Sequence, residues 1–168
     1  MNGAIYEREL AQILSGDYDR VSRFISKSGN HSLNIRAFCD HPFLVTRSAG
    51  SQGADIIALR DDISVIIEVK SSSSRLINFS EASGKRQEQA ERLSERCRRS
   101  GLILIYAYRL KSEKGDPWRL FAMDGEPQGR IRLLYNVLPK ISTTRGGNYS
   151  LQWDHGLPLT QFLEYVTS

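Results

Sequence analysis

An α/β fold, with a mixed central sheet flanked by helices, is what this sequence predicts, and three observations predict it. Candidate elements follow the order helix, strand, strand, strand, helix, strand. Two β-rich runs, DIIALR and ISVIIEVK, are joined by Asp61-Asp62, the pattern of an antiparallel hairpin. The near-continuous apolar run LILIYAY, residues 102–108, follows a helical segment and reads as a strand buried on both faces. A chain of 168 residues suits one domain spanning residues 1–168.

The opening helix rests on Tyr6, Leu10, Ile13 and Leu14, which recur at helical spacing and leave Glu7 at the margin of the buried face. Residues 15–42 mix a weak helical pattern around Val21, Phe24 and Ile25 with loop residues, giving a helix plus a loop. Strand character begins at Phe43 with FLVTR, followed by the small-residue loop SAGSQG and the hairpin, and a serine-rich loop at 71–74. From about Lys85 the residues Ala90, Leu93 and Cys97 set a helix that ends at Gly101. IRLLYNV and YSLQW are expected as short strands, and LTQFLEYV as the closing helix.

Composition narrows the function classes. No apolar run approaches the roughly eighteen residues needed to cross a bilayer, and no charged-then-apolar leader opens the chain, so a cytoplasmic, nucleoid-associated protein without a membrane partner is expected. Cys39 and Cys97 are too few for a disulfide framework and read as buried free thiols. His31, His41 and His155 lack ligand spacing, and Trp118 and Trp153 read as core or interface anchors. The formal charge of +4 favours a polyanionic partner. It is unevenly placed, with six basic and three acidic residues in KRQEQAERLSERCRR, residues 85–99.

Chemistry concentrates in the hairpin. Successive strand residues alternate faces, so Glu68 and Lys70 share one, and the hairpin brings Asp55 to the same end of the sheet as Glu68. Two carboxylates at one spot suit Mg²⁺ or Mn²⁺, and the backbone carbonyl of Val69 is a natural further ligand. A lysine beside them can orient a water or stabilise charge building on a phosphate, which is the chemistry of phosphodiester hydrolysis. The alternative is an ion pair between Glu68 and Lys70 at an exposed strand end, worth up to about 1 kcal/mol.

Asp55, Glu68 and Lys70, after a helix carrying Glu7-Arg8 and a strand ending RSAGS, resemble the PD-(D/E)xK nuclease superfamily, and within it the archaeal Holliday junction resolvases. ERELAQIL, GADIIALRDDISVIIEVKSSSS and RQEQAERLSERCRRSGLILIYAYRLK carry the likeness, and WRLFAM and GNYSLQWDHGLPLTQFLEYV extend it less specifically. The resemblance implies a restriction-endonuclease-like sheet and a catalytic set of Glu7, Ser51, Asp55, Glu68 and Lys70. Metal ligation falls to Asp55, Glu68 and Val69, with Glu7 binding a second ion or holding a water. Mg²⁺ is the implied cofactor and Mn²⁺ a substitute. Phosphate contacts are implied for Arg8 and Arg47, and the basic residues Arg75, Lys85, Arg86, Arg98 and Arg99 join them as candidate DNA contacts.

The implied protein is a homodimer that binds a four-way DNA junction and nicks two opposed strands, leaving 5′-phosphates and 3′-hydroxyls, in recombination and repair. Branch-migration or sliding-clamp partners are conceivable and unidentified. Residues 15–42 and 128–144 read as insertions relative to the family, the first lengthening the opening helix or adding a DNA-contacting loop. A related nuclease acting on another DNA structure and a non-catalytic junction-binding protein are the competing readings.

Overall fold

The computed structural model describes residues 3–48, 53–61, 63–80 and 84–168. Helix α1, Gly3–Leu14, buries Leu10, Ala11, Ile13 and Leu14, the stripe its periodicity sets. Residues 15–42 form two helices rather than one: α2, Tyr18–Ser28, and α3, Ile35–Asp40. Each is started by a side-chain cap, Asp17 accepting from the Arg20 N–H and Asn34 from the Ala37 N–H, which satisfies amides that have no partner within the helix.

Six strands make the central sheet: β1, Leu44–Arg47; β2, Ile56–Leu59; β3, Ser64–Ser72; β5, Ile103–Leu110; β6, Trp118–Ala122; and β9, Leu157–Pro158. Their order is β1-β2-β3-β5-β6-β9, with β3 and β5 parallel and the other neighbours antiparallel, so the sheet is mixed. A parallel neighbour requires a crossover, here made by β4, Leu76–Asn78, and helix α4, Lys85–Arg99. The hairpin predicted across residues 61–62 is β2 and β3, closed by two backbone hydrogen bonds between Arg60 and Ile63.

Both faces of the sheet are covered, which explains the apolar run in β5. Ile103, Ile105 and Ala107 point into the layer of α1, α2, α3 and the closing helix α6, Leu159–Thr167. Leu104, Tyr106, Tyr108 and Leu110 point into the opposite layer with Ala90, Leu93 and Cys97 of α4. A second sheet, of three strands, caps that layer: β7, Ser142–Thr143, and β8, Tyr149–Gln152, join β4 in the order β4-β8-β7.

Two expectations are corrected. IRLLYNV is not a strand but helix α5, Ile131–Val137, which buries Leu134 and leaves Leu133 63% and Val137 43% exposed. The serine-rich segment is only partly loop, because β3 continues through Ser71 and Ser72 while β5 runs alongside. Trp118 and Trp153 are buried core residues, and of the two thiols Cys97 is buried and Cys39 partly so. Among the described residues, no helix is long and apolar enough to cross a membrane.

Candidate active site

The site is made by a mismatch in strand length. β2 starts at Ile56, opposite Ile67, whereas β3 runs on to Ser72, so from Glu68 onward β3 has no β2 partner on that edge. The Val69 N–H would be left bare there, and the Asp55 carboxylate accepts it at 2.7 Å through Oδ2. A strand residue presents its N–H and C=O to the same edge, which puts the Val69 carbonyl beside Asp55 as well. Asp55 is itself fixed from behind, since its carbonyl accepts from the Ser48 N–H at 3.1 Å and continues the β1–β2 ladder.

Glu68 points to the α4 face and is 4% exposed, so the pair with Lys70 is not an ion pair at an exposed strand end. Its Oε1 lies 3.4 Å from Lys70 Nζ and 3.5 Å from Gln89 Nε2. Its Oε2 is buried with no hydrogen-bond partner among the described residues. A buried carboxylate oxygen without a donor is costly, and a cation bound beside it would offset that cost.

Electrostatics agree with the geometry. Burial raises the Asp55 carboxyl above its ordinary range; the Val69 N–H pulls it back, and the Glu7 charge adds to the rise. Burial also raises Glu68, opposed by Lys70 and reinforced by Asp55. Both shifts arise first from burial, which disfavours an ionised carboxylate that cations close by do not fully compensate. The donor set of two acidic oxygens and a backbone carbonyl fits a hard divalent ion.

Glu7 is placed close by but is engaged differently from a simple ligand. Its Oε2 is 3.3 Å from a terminal guanidinium nitrogen of Arg47, which also donates to the Ala4 carbonyl at 3.2 Å. Among the described residues, no three His, Cys, Asp or Glu side chains gather tightly enough to hold a metal by themselves. Ser51, also expected here, lies outside the described residues.

The expected DNA contacts divide into two groups. Arg8, Lys85, Arg86 and Arg99 are not held by an ion pair among the described residues, and the middle two stand in the first turn of α4. Arg75 is instead bonded to Asp154 and lies 5.0 Å from the centre of the Trp153 ring, and Arg98 grips Glu95 through two nitrogens. Gln89 escaped the sequence reading. It lies four residues before Leu93, beside the buried stripe of α4, and a polar residue so placed was the available signal.

Comparison with known proteins adds an independent line. Residues 33–168 match the model of the archaeal Holliday junction resolvase family. No curated protein matches the sequence. Among solved structures the chain is similar to a Holliday junction resolvase of the archaeal hyperthermophile Archaeoglobus fulgidus, with a TM-score of 0.55 and 17% identity, over 97% of this chain and 96% of that one. At that identity the likeness speaks for the fold.

Proposed function

The chain belongs to the archaeal Holliday junction resolvase family and is a junction-resolving endonuclease, and from that premise we propose that Asp55, Glu68 and Lys70 are its hydrolytic centre, working with a divalent metal. The observation that carries the proposal is the unpartnered, buried Oε2 of Glu68 beside the Asp55 carboxylate. Asp55, Glu68 and the Val69 carbonyl would hold the ion, Mg²⁺ or in its place Mn²⁺. Such an ion, when bound, lowers the pKa of a water and offsets charge on a phosphate.

The chain's own residues have distinct tasks. Lys70, whose Nζ is 3.4 Å from Glu68 Oε1, would orient a water or meet the extra charge of a phosphate under attack. Gln89 holds Glu68 from the α4 side. Arg47, fixed by Glu7 and the Ala4 carbonyl, would offer its guanidinium to the DNA backbone, and Glu7 would hold a water or a second ion. Ser51 completes the catalytic set proposed from the resemblance. Water adds to phosphorus, the bond to the 3′-oxygen breaks, and the products are a 5′-phosphate and a 3′-hydroxyl.

Binding rests on shape rather than base reading. Arg8, Lys85, Arg86 and Arg99 are proposed phosphate contacts. Lys85 and Arg86 stand at the positive end of the α4 dipole, where a cation costs about 0.3–1 kcal/mol unless an anion is present. Arg75 and Arg98 would have to leave Asp154 and Glu95 to take part. Paired cuts in opposed strands need two sites related by the junction's own symmetry, so a homodimer is proposed as the acting species.

Glu68→Gln and Lys70→Met test the centre. Each is expected to keep junction binding in a gel-shift assay while nicking falls by at least about 10²-fold, the scale of removing one group aimed at transition-state charge. Nicking at wild-type rates in either variant contradicts the assignment.

A further inference from the structure

Most arginines of this chain whose partners are described are committed to something: Arg47 to Glu7, Arg75 to Asp154, Arg98 to Glu95, Arg109 to Glu9, and Arg119 to Asp116 and the Trp153 ring. Several cations are not, and three of those share one helix face. Arg20, Arg23 and Lys27 recur at i, i+3 and i+7 along α2, which buries Val21, Phe24 and Ile25. They face Lys114, in the loop between β5 and β6, across a groove of about 480 Å³ floored by Ile13 and Phe24. Among the described residues no ion pair holds any of these four.

The groove carries two carboxylates, and neither answers the exposed cations. Glu9 is used by Arg109, at 3.3 Å, and by the Trp118 indole N–H, at 3.0 Å. Glu113 accepts from the Gly115 N–H at 3.2 Å. The position of the groove follows from register: Ser71, next to Lys70, pairs with Arg109, which lines the groove. The groove therefore opens at the same end of the central sheet as the carboxylates, on the opposite face from α4. Arg20 and Lys27 are about 10 Å apart along the helix, and each strand of a duplex carries one phosphate charge per about 3.4 Å of axis, so the row spans about three phosphates of one backbone at most.

We infer that this groove is a second DNA-backbone site, where α2 and Lys114 hold the duplex arm of the junction that leads away from the cut strand. The inference rests on the nuclease reading and adds a role for α2, which precedes the residues matched by the family. Its ligand is a run of duplex phosphates, read without regard to sequence.

The test compares wild type with Arg20→Gln/Arg23→Gln/Lys27→Gln. A control variant removes the same charge elsewhere, at the exposed Arg130, Arg132 and Arg145. Binding to synthetic four-way junctions of two unrelated sequences is measured over a salt series, with thermal melts to verify folding and single Arg23→Gln as a milder change. The α2 variant is expected to bind both junctions more weakly, with the slope of log affinity against log salt shallower by about 0.9 for each phosphate no longer neutralised, and the control to change it less. Wild-type slope and affinity in the α2 variant, or equal losses in the control, overturn the inference. Nicking of the same junctions by wild type is scored in parallel, so that failure of the groove is told apart from failure of the nuclease reading.

Discussion

Glu68 shows what a single buried oxygen can imply. Burial and the Asp55 charge raise its carboxyl above the ordinary range despite Lys70, so the folded state binds a proton more readily than the unfolded chain. Such a group lowers stability as pH rises from its unfolded pKa through its folded one, and the penalty is complete above the latter. Glu68→Gln is therefore expected to melt higher than wild type at neutral pH without metal, by about 2–4 °C for each kcal/mol relieved, and to lose that advantage below the ordinary carboxylate range. Added Mg²⁺ is expected to raise the melting point of wild type and not of the variant, since a ligand at 100 times its Kd stabilises by about 2.7 kcal/mol. A variant that melts lower than wild type at neutral pH, or responds equally to Mg²⁺, contradicts this account. In the sequence, Glu68 and Lys70 were legible as a pair by strand alternation, and Asp55 by the hairpin. Their burial was not, because it depends on α4 and the second sheet folding over them.

At the scale of elements, legibility followed how far one periodicity outweighed another. β3 and β5 were plain from their apolar runs. IRLLYNV satisfied two patterns: Ile131, Leu133, Tyr135 and Val137 alternate as in a strand, whereas Ile131, Leu134 and Leu138 recur as in a helix. The helix prevails because it buries Leu134 and Leu138 against the core and leaves Leu133 and Val137 to solvent. Residues 15–42 hid two caps, at Asp17 and Asn34, that divide the segment. Close packing between elements is equally invisible in sequence. Gly156, after the turn Trp153–His155, has an ordinary φ of −80°, but an added Cβ would stand 2.5 Å from Arg119 Cβ and 2.8 Å from the Phe121 ring. Gly156→Ala is expected to cost about 1–3 kcal/mol, read as a lower urea midpoint; an unchanged midpoint shows that β6 and β9 can separate more freely than their register implies.

For the whole molecule, the net charge of +4 says less than its arrangement. Ion pairs and aromatic faces absorb several of the cations, and among those left over one group stands at the start of α4 and another along α2, on the two faces of the sheet. A carboxylate pocket opens at the end of the sheet that both approach. That arrangement suits a nucleic-acid structure with arms running in different directions, and a two-fold dimer would present two such pockets to it. The most direct test incubates the protein with a labelled four-way junction, and separately with linear duplex and flap DNA, in Mg²⁺ or in EDTA. Paired nicks in opposed strands of the junction alone, abolished by EDTA, are the predicted result. Cutting of duplex or flap as readily as the junction, or cutting that persists in EDTA, contradicts the account.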